Sequence, residues 1–240
     1  MIFLLGFAMV HGNFLDEQKK YERVRTAFNE KNETVSKSLR SAAIDADKLN
    51  ILFVAYKDEA ILELYAKNKN ESLYKLLRQY DILQSSGVLG PKSAQGDRQV
   101  PEGFYRIDRF NPFSNFYLSL GLNYPNAADK LRSKAKNLGG DIFIHGSFVT
   151  IGCLPMSDEK IKEIYIYAIL AKNAEQSDIP VYIFPFKMSD ENMSKFAKKY
   201  AEDEKLLAFW QNLKTGYDKF FNDKIELKFK INKNGVYLFE

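Results

Sequence analysis

The chain is poor in the residues that build disulfides and metal centres. Its 240 residues include one cysteine, Cys153, and two histidines, one of which is His145. One cysteine excludes an internal disulfide. Structural zinc requires four nitrogen or sulfur ligands, more than these residues provide. The sequence therefore predicts no metal site and no cofactor, and the lone thiol calls for a functional reason if the protein works in an oxidising compartment.

Long runs of like charge are missing as well. The 35 basic and 31 acidic side chains are interspersed, and the net charge is only +4. Such a charge permits weak attraction to an anionic polymer such as cell-wall glycan. No nucleic-acid-binding motif accompanies it, so we expect no nucleic-acid partner.

The sequence also lacks an apolar run long enough to cross a bilayer. Its first ten residues, "MIFLLGFAMV", are apolar but too short to span a membrane as a helix. They resemble the apolar region of an export signal, although no basic residue precedes them. We therefore expect a periplasmic or secreted protein with no stable membrane span. The alternative is that this run begins a packed helix.

Three stretches of different character follow one another along the chain. Residues 1–48 combine the apolar run with a charged, helical lead-in. Residues 49–187 alternate strand-like segments with loops, and residues 188–240 contain two amphipathic helices and a hairpin. The length is sufficient for one sizeable core. We expect an α+β protein in which the last stretch packs on the central domain.

Apolar and aromatic segments predict the strands. Leu49–Lys67 predicts two strands around a turn at residues 57–59, and "NFYLSLGL", "DIFIHG" and "IPVYIFPF" each predict one more. The segment "ESLYKLLRQYDILQSSG" is ambiguous, because its leucine spacing fits a helix and its end fits a strand.

Capping and turn residues predict the remaining elements. Ser157 is an N-cap residue followed by two acids, so a helix is expected to begin there. Amphipathic patterns predict helices over residues 188–199 and 204–221. The Asn-Gly pair at residues 234–235 predicts the turn of a closing hairpin, since it supplies positive φ angles.

His145 and Cys153 are separated by seven residues and could form a nucleophile and its base. A thiol attacks a carbonyl as its thiolate, and a neutral imidazole is a common activating partner. Gly146 allows the chain to turn after the histidine. Gly152 allows its own N–H and that of Cys153 to point at one spot, as in an oxyanion hole. On the residues alone, the alternative stays open that Cys153 is a buried small hydrophobe and His145 a core histidine.

The segment "IHGSFVTIGCLPMSDEKIKEIY" resembles the active-site segment of the YkuD-type L,D-transpeptidases, especially their YafK-like branch. Three further stretches agree in the expected order: "SGVLGPKSAQGDRQVPEGFYRI", "LSLGLNYPNAADK" and "FWQNLKTGYDKFF". The resemblance covers residues 50–221. It implies a mostly β catalytic domain with N-terminal and C-terminal helices, acting on the peptide stems of peptidoglycan.

The resemblance also implies roles for individual residues. Cys153 would be the nucleophile and His145 the base, with the carbonyl of Gly146 orienting the imidazole in place of a triad carboxylate. The N–H groups of Gly152 and Cys153 would hold the oxyanion. An acyl-enzyme at Cys153 would then pass to water or to an amine.

Two positions depart from the usual family pattern. Most YkuD-type domains have a histidine two residues before the cysteine and an arginine two residues after it, where this chain has Ile151 and Pro155. These departures leave the acceptor open, so cross-linking, stem-peptide cleavage and removal of a wall-attached lipoprotein all remain. A catalytically silent cell-wall-binding module is the alternative from a different functional class.

Substrate contacts are expected from two loops. Lys92 and Arg98 lie in a Gly/Pro-rich loop, and their charges could pair with the free carboxylates of cell-wall stems. Ser147 and Thr150, between the histidine and the cysteine, complete the expected substrate-binding set. The alternative is that the first loop is a solvated turn, with Arg98 bracing it by pairing with a nearby acid.

Overall fold

The computed structural model describes residues 13–240. The apolar run of the first ten residues, and the expectation of an export signal based on it, lie outside this range. Ten strands and six α-helices follow one another from residue 14 onward, with one 3-10 turn at Ala46–Lys48 before the first strand. The helices are α1 (Phe14–Lys19), α2 (Glu22–Ser41), α3 (Ala127–Arg132), α4 (Asp158–Asn173), α5 (Asp190–Lys199) and α6 (Glu204–Asp223). The strands are β1 (Leu49–Tyr56), β2 (Ile61–Asn68), β3 (Lys75–Asp81), β4 (Gly103–Asn111), β5 (Ser119–Leu122), β6 (Phe143–His145), β7 (Leu154–Pro155), β8 (Ile179–Phe184), β9 (Phe229–Ile231) and β10 (Tyr237–Phe239).

Eight of these strands form one mixed sheet in the order β3-β2-β1-β8-β4-β5-β6-β7. β1 pairs with β8 in parallel and β6 pairs with β7 in parallel, while the other neighbours are antiparallel. β9 and β10 form a separate hairpin. The expected α+β class is confirmed.

Helices cover both faces of this sheet. Successive side chains of a strand point to opposite faces, and β1 sends alternate residues into two apolar clusters. One cluster includes residues of α2 and α4, and the other includes residues of α5, α6 and the hairpin. Burial on both faces explains why the β1 sequence "ILFVAY" is continuously apolar rather than alternating. The β1 residues in the first cluster are Leu49, Ile51, Phe53 and Ala55, and those in the second are Leu52, Val54 and Tyr56.

Most predicted elements are present. The two strands around residues 57–59 are β1 and β2, and the ambiguous leucine-rich segment contains a strand, β3, rather than a helix. β3 lies at the edge of the sheet, and Leu76 is 53% exposed. Its leucines therefore do not form the buried stripe that a helical spacing suggested.

The predicted helix cap and the predicted hairpin turn are both present, with differences in detail. Ser157 caps α4, because its Oγ accepts a hydrogen bond from the backbone N–H of Lys160 at 3.3 Å, but its φ of 69° is unusual for an N-cap residue. In the closing hairpin, Gly235 has a positive φ of 77° and Asn234 does not. Residues 232–236 form a wider loop, closed by the bond from the N–H of Asn232 to the carbonyl of Val236, so a single positive φ is enough.

The edge of the sheet made by β5, β6 and β7 carries the candidate site. His145 ends β6 and pairs with Ser119 of β5, and Cys153 immediately precedes β7. α4 begins three residues after β7 and packs against α2, which fixes the β7–α4 connection. Among residues 13–240, no helix is both long and apolar enough to cross a membrane.

Candidate active site

The imidazole of His145 is buried and held on two sides. Its Nδ1 lies 2.5 Å from the carbonyl oxygen of Gly146. Its ring stacks on Phe116, with centroids 4.6 Å apart and planes at 30°. A carbonyl oxygen only accepts hydrogen bonds, so the neutral ring carries its proton on Nδ1. Nε2 therefore has the free lone pair and is the atom that can act as a base.

Gly146 has room for no side chain. A Cβ at this position would lie 2.6 Å from Asp158 Oδ1 and 2.6 Å from the carbonyl oxygen of Phe116. The N–H of Gly146 donates to the carbonyl of Leu118 at 3.1 Å, which continues the pairing of β5 and β6 past His145. The carbonyl that contacts the imidazole is consequently fixed by the close packing of its own residue.

Cys153 lies on the same face of the sheet as His145. β6 and β7 pair in parallel, with Ile144 opposite Leu154 and His145 opposite Pro155. Cys153 is two residues before Pro155, so the alternation of side chains along a strand places it on the face of Pro155 and His145. Strand spacing and rise per residue then separate the Cα atoms of His145 and Cys153 by about 8 Å.

No direct bond joins the two groups in the resting site. Within the described chain, Cys153 Sγ makes no hydrogen bond to the His145 ring. Its contact instead is with the carbonyl oxygen of Asp141, at 3.5 Å. Catalytic hydrogen bonds are often long in free enzymes and shorten when substrate binds.

Both groups are neutral near pH 7. Burial raises the pKa of the Cys153 thiol, and the nearby charge of Asp141 adds to this, while the N–H of Phe143 and the charge of Lys92 act in the opposite direction. Burial lowers the pKa of His145, and the carbonyl of Gly146 partly opposes this. The resting pair is therefore a thiol and a neutral imidazole rather than a thiolate–imidazolium ion pair.

The hydroxyl of Thr150 organises the turn that leads into Cys153. Thr150 Oγ1 accepts from the N–H of Gly152 at 3.1 Å and from the N–H of Cys153 at 2.7 Å, and it donates to the carbonyl of Cys153 at 2.8 Å. The two N–H groups that the sequence assigns to an oxyanion thus converge on one point. In this structure that point is occupied by a hydroxyl oxygen of the protein itself.

Ser147 connects the histidine loop to the start of α4 through its backbone. Its N–H donates to Asp158 Oδ1 at 2.8 Å, and its carbonyl accepts from the N–H of Ser157 at 3.0 Å. Its φ is 61°, a conformation that non-glycine residues adopt infrequently. Sequence reasoning treated Asp158 only as a helix-dipole acid, although its carboxylate also anchors the loop that follows His145.

The loop between the two candidate residues exposes apolar side chains. Phe148 is 66% exposed and Ile151 is 78% exposed, with Val149 between them at 44%. Sequence reasoning noted Ile151 only as a departure from the family pattern. These three exposed apolar side chains lie in the segment that leads from His145 to Cys153.

Lys92 and Arg98 differ in their surroundings. Lys92 Nζ is 2.6 Å from Asp97 Oδ1 and 2.9 Å from the carbonyl of Ala94, and the lysine side chain is only 5% exposed. Arg98 is exposed and has a φ of 57°. From the sequence, we considered that Arg98 stabilises this loop by pairing with a nearby acid. In the structure, the ion pair within the loop is made by Lys92 and Asp97.

The carboxylate of Asp97 completes this brace. It accepts hydrogen bonds from the N–H groups of Ser93, Ala94 and Gln99 at 2.8–3.1 Å. The charge of Lys92 still reaches the thiol, as its effect on the pKa of Cys153 indicates. No group of three or more His, Cys, Asp or Glu side chains within residues 13–240 is placed to hold a metal ion.

A thiol and an imidazole on one face of a sheet edge are the two groups that cysteine-dependent acyl transfer requires, and the fold that carries them is that of an L,D-transpeptidase catalytic domain. The sequence profile described as YkuD, the L,D-transpeptidase catalytic domain, matches residues 50–183. The chain belongs to this family.

Curated relatives and solved structures with some similarity to this chain are also known. YafK from Escherichia coli K12 and from O157:H7, named provisionally as an L,D-transpeptidase, is 38% identical over 167 residues. This alignment covers 69% of the chain and 64% of the relative, so the chain spans less than two thirds of the relatives' length. The helical cell shape determining protein Pgp2 from Campylobacter jejuni is 19% identical, with a TM-score of 0.47 over 77% of this chain and 74% of Pgp2. Bd1075 from Bdellovibrio bacteriovorus is 21% identical, with a TM-score of 0.39 over 71% of this chain and 62% of its own.

Proposed function

We propose that this protein is a cysteine-dependent enzyme that cleaves or transfers peptidoglycan stem peptides through an acyl-enzyme at Cys153. The observation that carries the proposal is the placement of the His145 ring on the sheet face that also carries the thiol, with Nδ1 at the carbonyl of Gly146 and no hydrogen bond from Nε2 to any of residues 13–240. Membership of the YkuD family supports a peptidoglycan substrate. The proposed place of action is the cell envelope, periplasmic or secreted.

In the proposed reaction, His145 Nε2 takes the proton of the Cys153 thiol as the sulfur attacks a stem-peptide carbonyl carbon. The resulting tetrahedral oxyanion collapses, the bond to the leaving amine breaks, and the imidazolium gives its proton to that amine. A thioester remains on Cys153. Water or a second amine then attacks the thioester, and His145 accepts the proton of the attacking group before returning it to sulfur.

The oxyanion is assigned to the N–H groups of Gly152 and Cys153, whose hydrogen bonds converge on one point. The hydroxyl of Thr150 occupies this point in the resting site. It must therefore move aside, or share the donors, as the substrate oxygen gains charge. The exchange replaces a neutral acceptor by an anionic one, and charged acceptors form stronger hydrogen bonds.

Substrate contacts are proposed for Lys92, Arg98, Ser147 and Thr150 in different ways. Arg98 is exposed and able to pair with a stem carboxylate directly. Lys92 is bonded within its loop, so it acts on substrate through the loop's shape and its charge near the thiol. A wall-attached lipoprotein remains among the proposed partners, since its attachment to a stem peptide is an amide that the same acyl chemistry would break.

The second candidate function is a catalytically silent cell-wall-binding module. Two observations favour it: the thiol and imidazole are not hydrogen-bonded to each other in the described chain, and burial raises the pKa of the thiol. A buried structural cysteine is inert. The intact pair of potential base and nucleophile on one face favours the enzyme.

Incubation of purified protein with isolated peptidoglycan, followed by mass spectrometry of the released muropeptides, separates these functions. If the protein is an enzyme, wild-type protein releases new stem-peptide products and Cys153→Ala releases none. Incorporation of oxygen from H₂¹⁸O into the new carboxylate distinguishes hydrolysis from transfer to an amine. Binding to peptidoglycan without products, equal for both proteins, identifies the silent module.

A further inference from the structure

A fully buried ion pair lies between the sheet and the C-terminal helices. Lys57 Nζ is 2.9 Å from Glu102 Oε1, and the two side chains are 2% and 0% exposed. Removing two charges from water is costly, and such pairs persist where additional hydrogen bonds satisfy both partners. The other groups bonded to Lys57 and Glu102 therefore indicate which segments the ion pair connects.

Those partners are the two ends of the Gly/Pro-rich loop. Lys57 Nζ also donates to the carbonyls of Gly90 at 2.8 Å and Val100 at 2.9 Å, so all three of its protons are used. Glu102 Oε1 accepts in addition from the N–H of Gly90 at 2.6 Å. The ion pair thus closes residues 90–100 into a loop with fixed ends.

The remaining oxygen of the carboxylate binds a helix outside the matched catalytic domain. Trp210 Nε1 donates to Glu102 Oε2 at 2.9 Å, and Trp210 lies in α6. The indole is itself fixed by edge-to-face contacts with Phe186 and Tyr200, at 5.3 Å and 5.1 Å between centroids. The family profile ends at residue 183, before α6 begins.

The loop closed in this way lies against the turn that carries the thiol. The carbonyl oxygen of Gln99 faces Gly152, where an added Cβ would lie 2.9 Å from it. On its other side the loop is bonded to the segment before β6, since the N–H of Gln95 donates to the carbonyl of Asn137 at 3.0 Å. That segment ends at Asp141, whose carbonyl contacts Cys153 Sγ.

We propose that Lys57, Glu102 and Trp210 are positioning residues for the active site, and that α6 fixes the 90–100 loop against the Gly152–Cys153 turn through them. The role deepens, and rests on, the proposed acyl-transfer function. In the described part of the chain, none of the three forms a hydrogen bond with Cys153. They act by keeping the loop closed over the turn, which shields the thiol and holds the substrate-binding surface in place.

The test compares Trp210→Phe with Leu213→Ala in the full chain. Trp210→Phe keeps an aromatic ring but removes the N–H donor of Glu102. Leu213 is a fully buried residue one turn after Trp210 in the same helix, so Leu213→Ala loosens the packing of α6 but keeps the N–H donor of Trp210 and both members of the ion pair. Lys57→Arg serves as a second loop variant, because it keeps the charge but loses the three-way donor geometry.

The readout is the rate of Cys153 alkylation by iodoacetamide across pH, measured well below each variant's melting temperature. We expect Trp210→Phe and Lys57→Arg to raise the rate at pH 7 by about 5-fold or more, because the thiol loses its cover and its pKa falls toward the ordinary value. Leu213→Ala is expected to leave the rate unchanged. On muropeptides, kcat should fall for the two loop variants, although the thiol has become more reactive.

Alkylation profiles identical to wild type in both loop variants would overturn the positioning role. The same holds if Leu213→Ala accelerates alkylation as much as they do, because the effect would then be a general loosening of α6. Alkylation requires no turnover, so this result is obtained even if wild-type protein releases no muropeptides. Absence of products would count against the proposed function alone.

Discussion

The hydroxyl of Thr150 lies 2.7 Å from the backbone nitrogen of Cys153 and donates back to the carbonyl of the same residue at 2.8 Å. A threonine side chain thus binds both backbone polar groups of the candidate nucleophile. Because it also accepts from the N–H of Gly152, it fills the point at which the proposed oxyanion would sit. The resting site therefore carries an internal competitor for the negatively charged oxygen.

Thr150→Val removes this competitor while keeping the shape of the side chain. A neutral hydrogen bond contributes about 0.5–1.5 kcal/mol, so freeing the two donors should raise the acylation rate by roughly 2- to 10-fold. Single-turnover kinetics on a muropeptide measure this, with Thr215→Val as the matched control, because Thr215 is an exposed threonine of α6 outside the candidate site. A loss of rate greater than tenfold would show that Thr150 builds the turn and that the oxyanion is held elsewhere.

Asp158 is expected to support His145 through the loop that follows it. Asp158→Ala deletes the acceptor of the Ser147 N–H and should cost about 1–2 kcal/mol in the free energy of unfolding, together with much of the activity. Asp158→Asn keeps an oxygen acceptor and should retain most of both. Chemical denaturation and muropeptide turnover check the pair. Equal losses in the two variants would mean that the negative charge at the start of α4 matters rather than the bond to Ser147.

Burial of His145 predicts a specific dependence of stability on pH. Its folded pKa is lowered from 6.5, mainly by burial, so below pH 6.5 the unfolded chain binds a proton that the folded chain does not. The free energy of unfolding should then fall as pH decreases from 6.5 toward the folded pKa, by at most about 1.4 kcal/mol per pH unit from this residue. Above 6.5 the residue contributes no pH dependence.

Denaturation of His145→Gln at pH 7.5, 6.5, 5.5 and 5.0 tests this sign. The variant should lose less stability than wild type between pH 6.5 and 5.0, because it no longer contains the buried group that resists protonation. A parallel decline in both proteins would place the acid sensitivity at other residues.

Lys92 and Arg98 should separate into a structural and a substrate-binding role. Lys92→Ala leaves Asp97 without its cation in a mostly buried site, and we expect a cost of about 3 kcal/mol in the free energy of unfolding. Arg98→Ala should leave the melting temperature nearly unchanged and raise KM, because the exposed guanidinium is free to pair with a carboxylate. Thermal melts and steady-state kinetics on the two variants check this. An unchanged KM in Arg98→Ala would remove Arg98 from the substrate-binding set.

Local signals allowed much of the fold to be predicted from the sequence. The apolar runs of β1 and β8 and the serine-and-acid start of α4 are short-range patterns, and each indicated its element correctly. The segment that contains β3 was ambiguous, because its local sequence fits a helix and a strand about equally well. Its pairing with β2 decides the structure, and no local pattern encodes that pairing.

The residues of the candidate site also fall into two groups, those that the sequence indicated and those that only the structure reveals. His145, Gly146, Gly152 and Cys153 lie within nine residues, so their types and spacing were informative. The bond from Trp210 to Glu102 joins residues 108 positions apart, and a single sequence gives no signal for such a contact. The stacking of Phe116 on His145 likewise depends on the pairing of β5 with β6.

The central claim is that Cys153 forms a covalent acyl-enzyme with a peptidoglycan stem peptide. Its most direct measurement is intact-protein mass spectrometry of wild type, Cys153→Ala and His145→Ala after rapid quenching with a purified muropeptide, followed by peptide mapping. In wild-type protein, we predict that the peptide containing Cys153 gains a mass equal to that of the acyl fragment. We predict no gain in Cys153→Ala, and accumulation slowed by roughly 10²- to 10⁴-fold in His145→Ala. Undiminished muropeptide conversion by Cys153→Ala, with no adduct on the wild-type cysteine, would contradict the central claim.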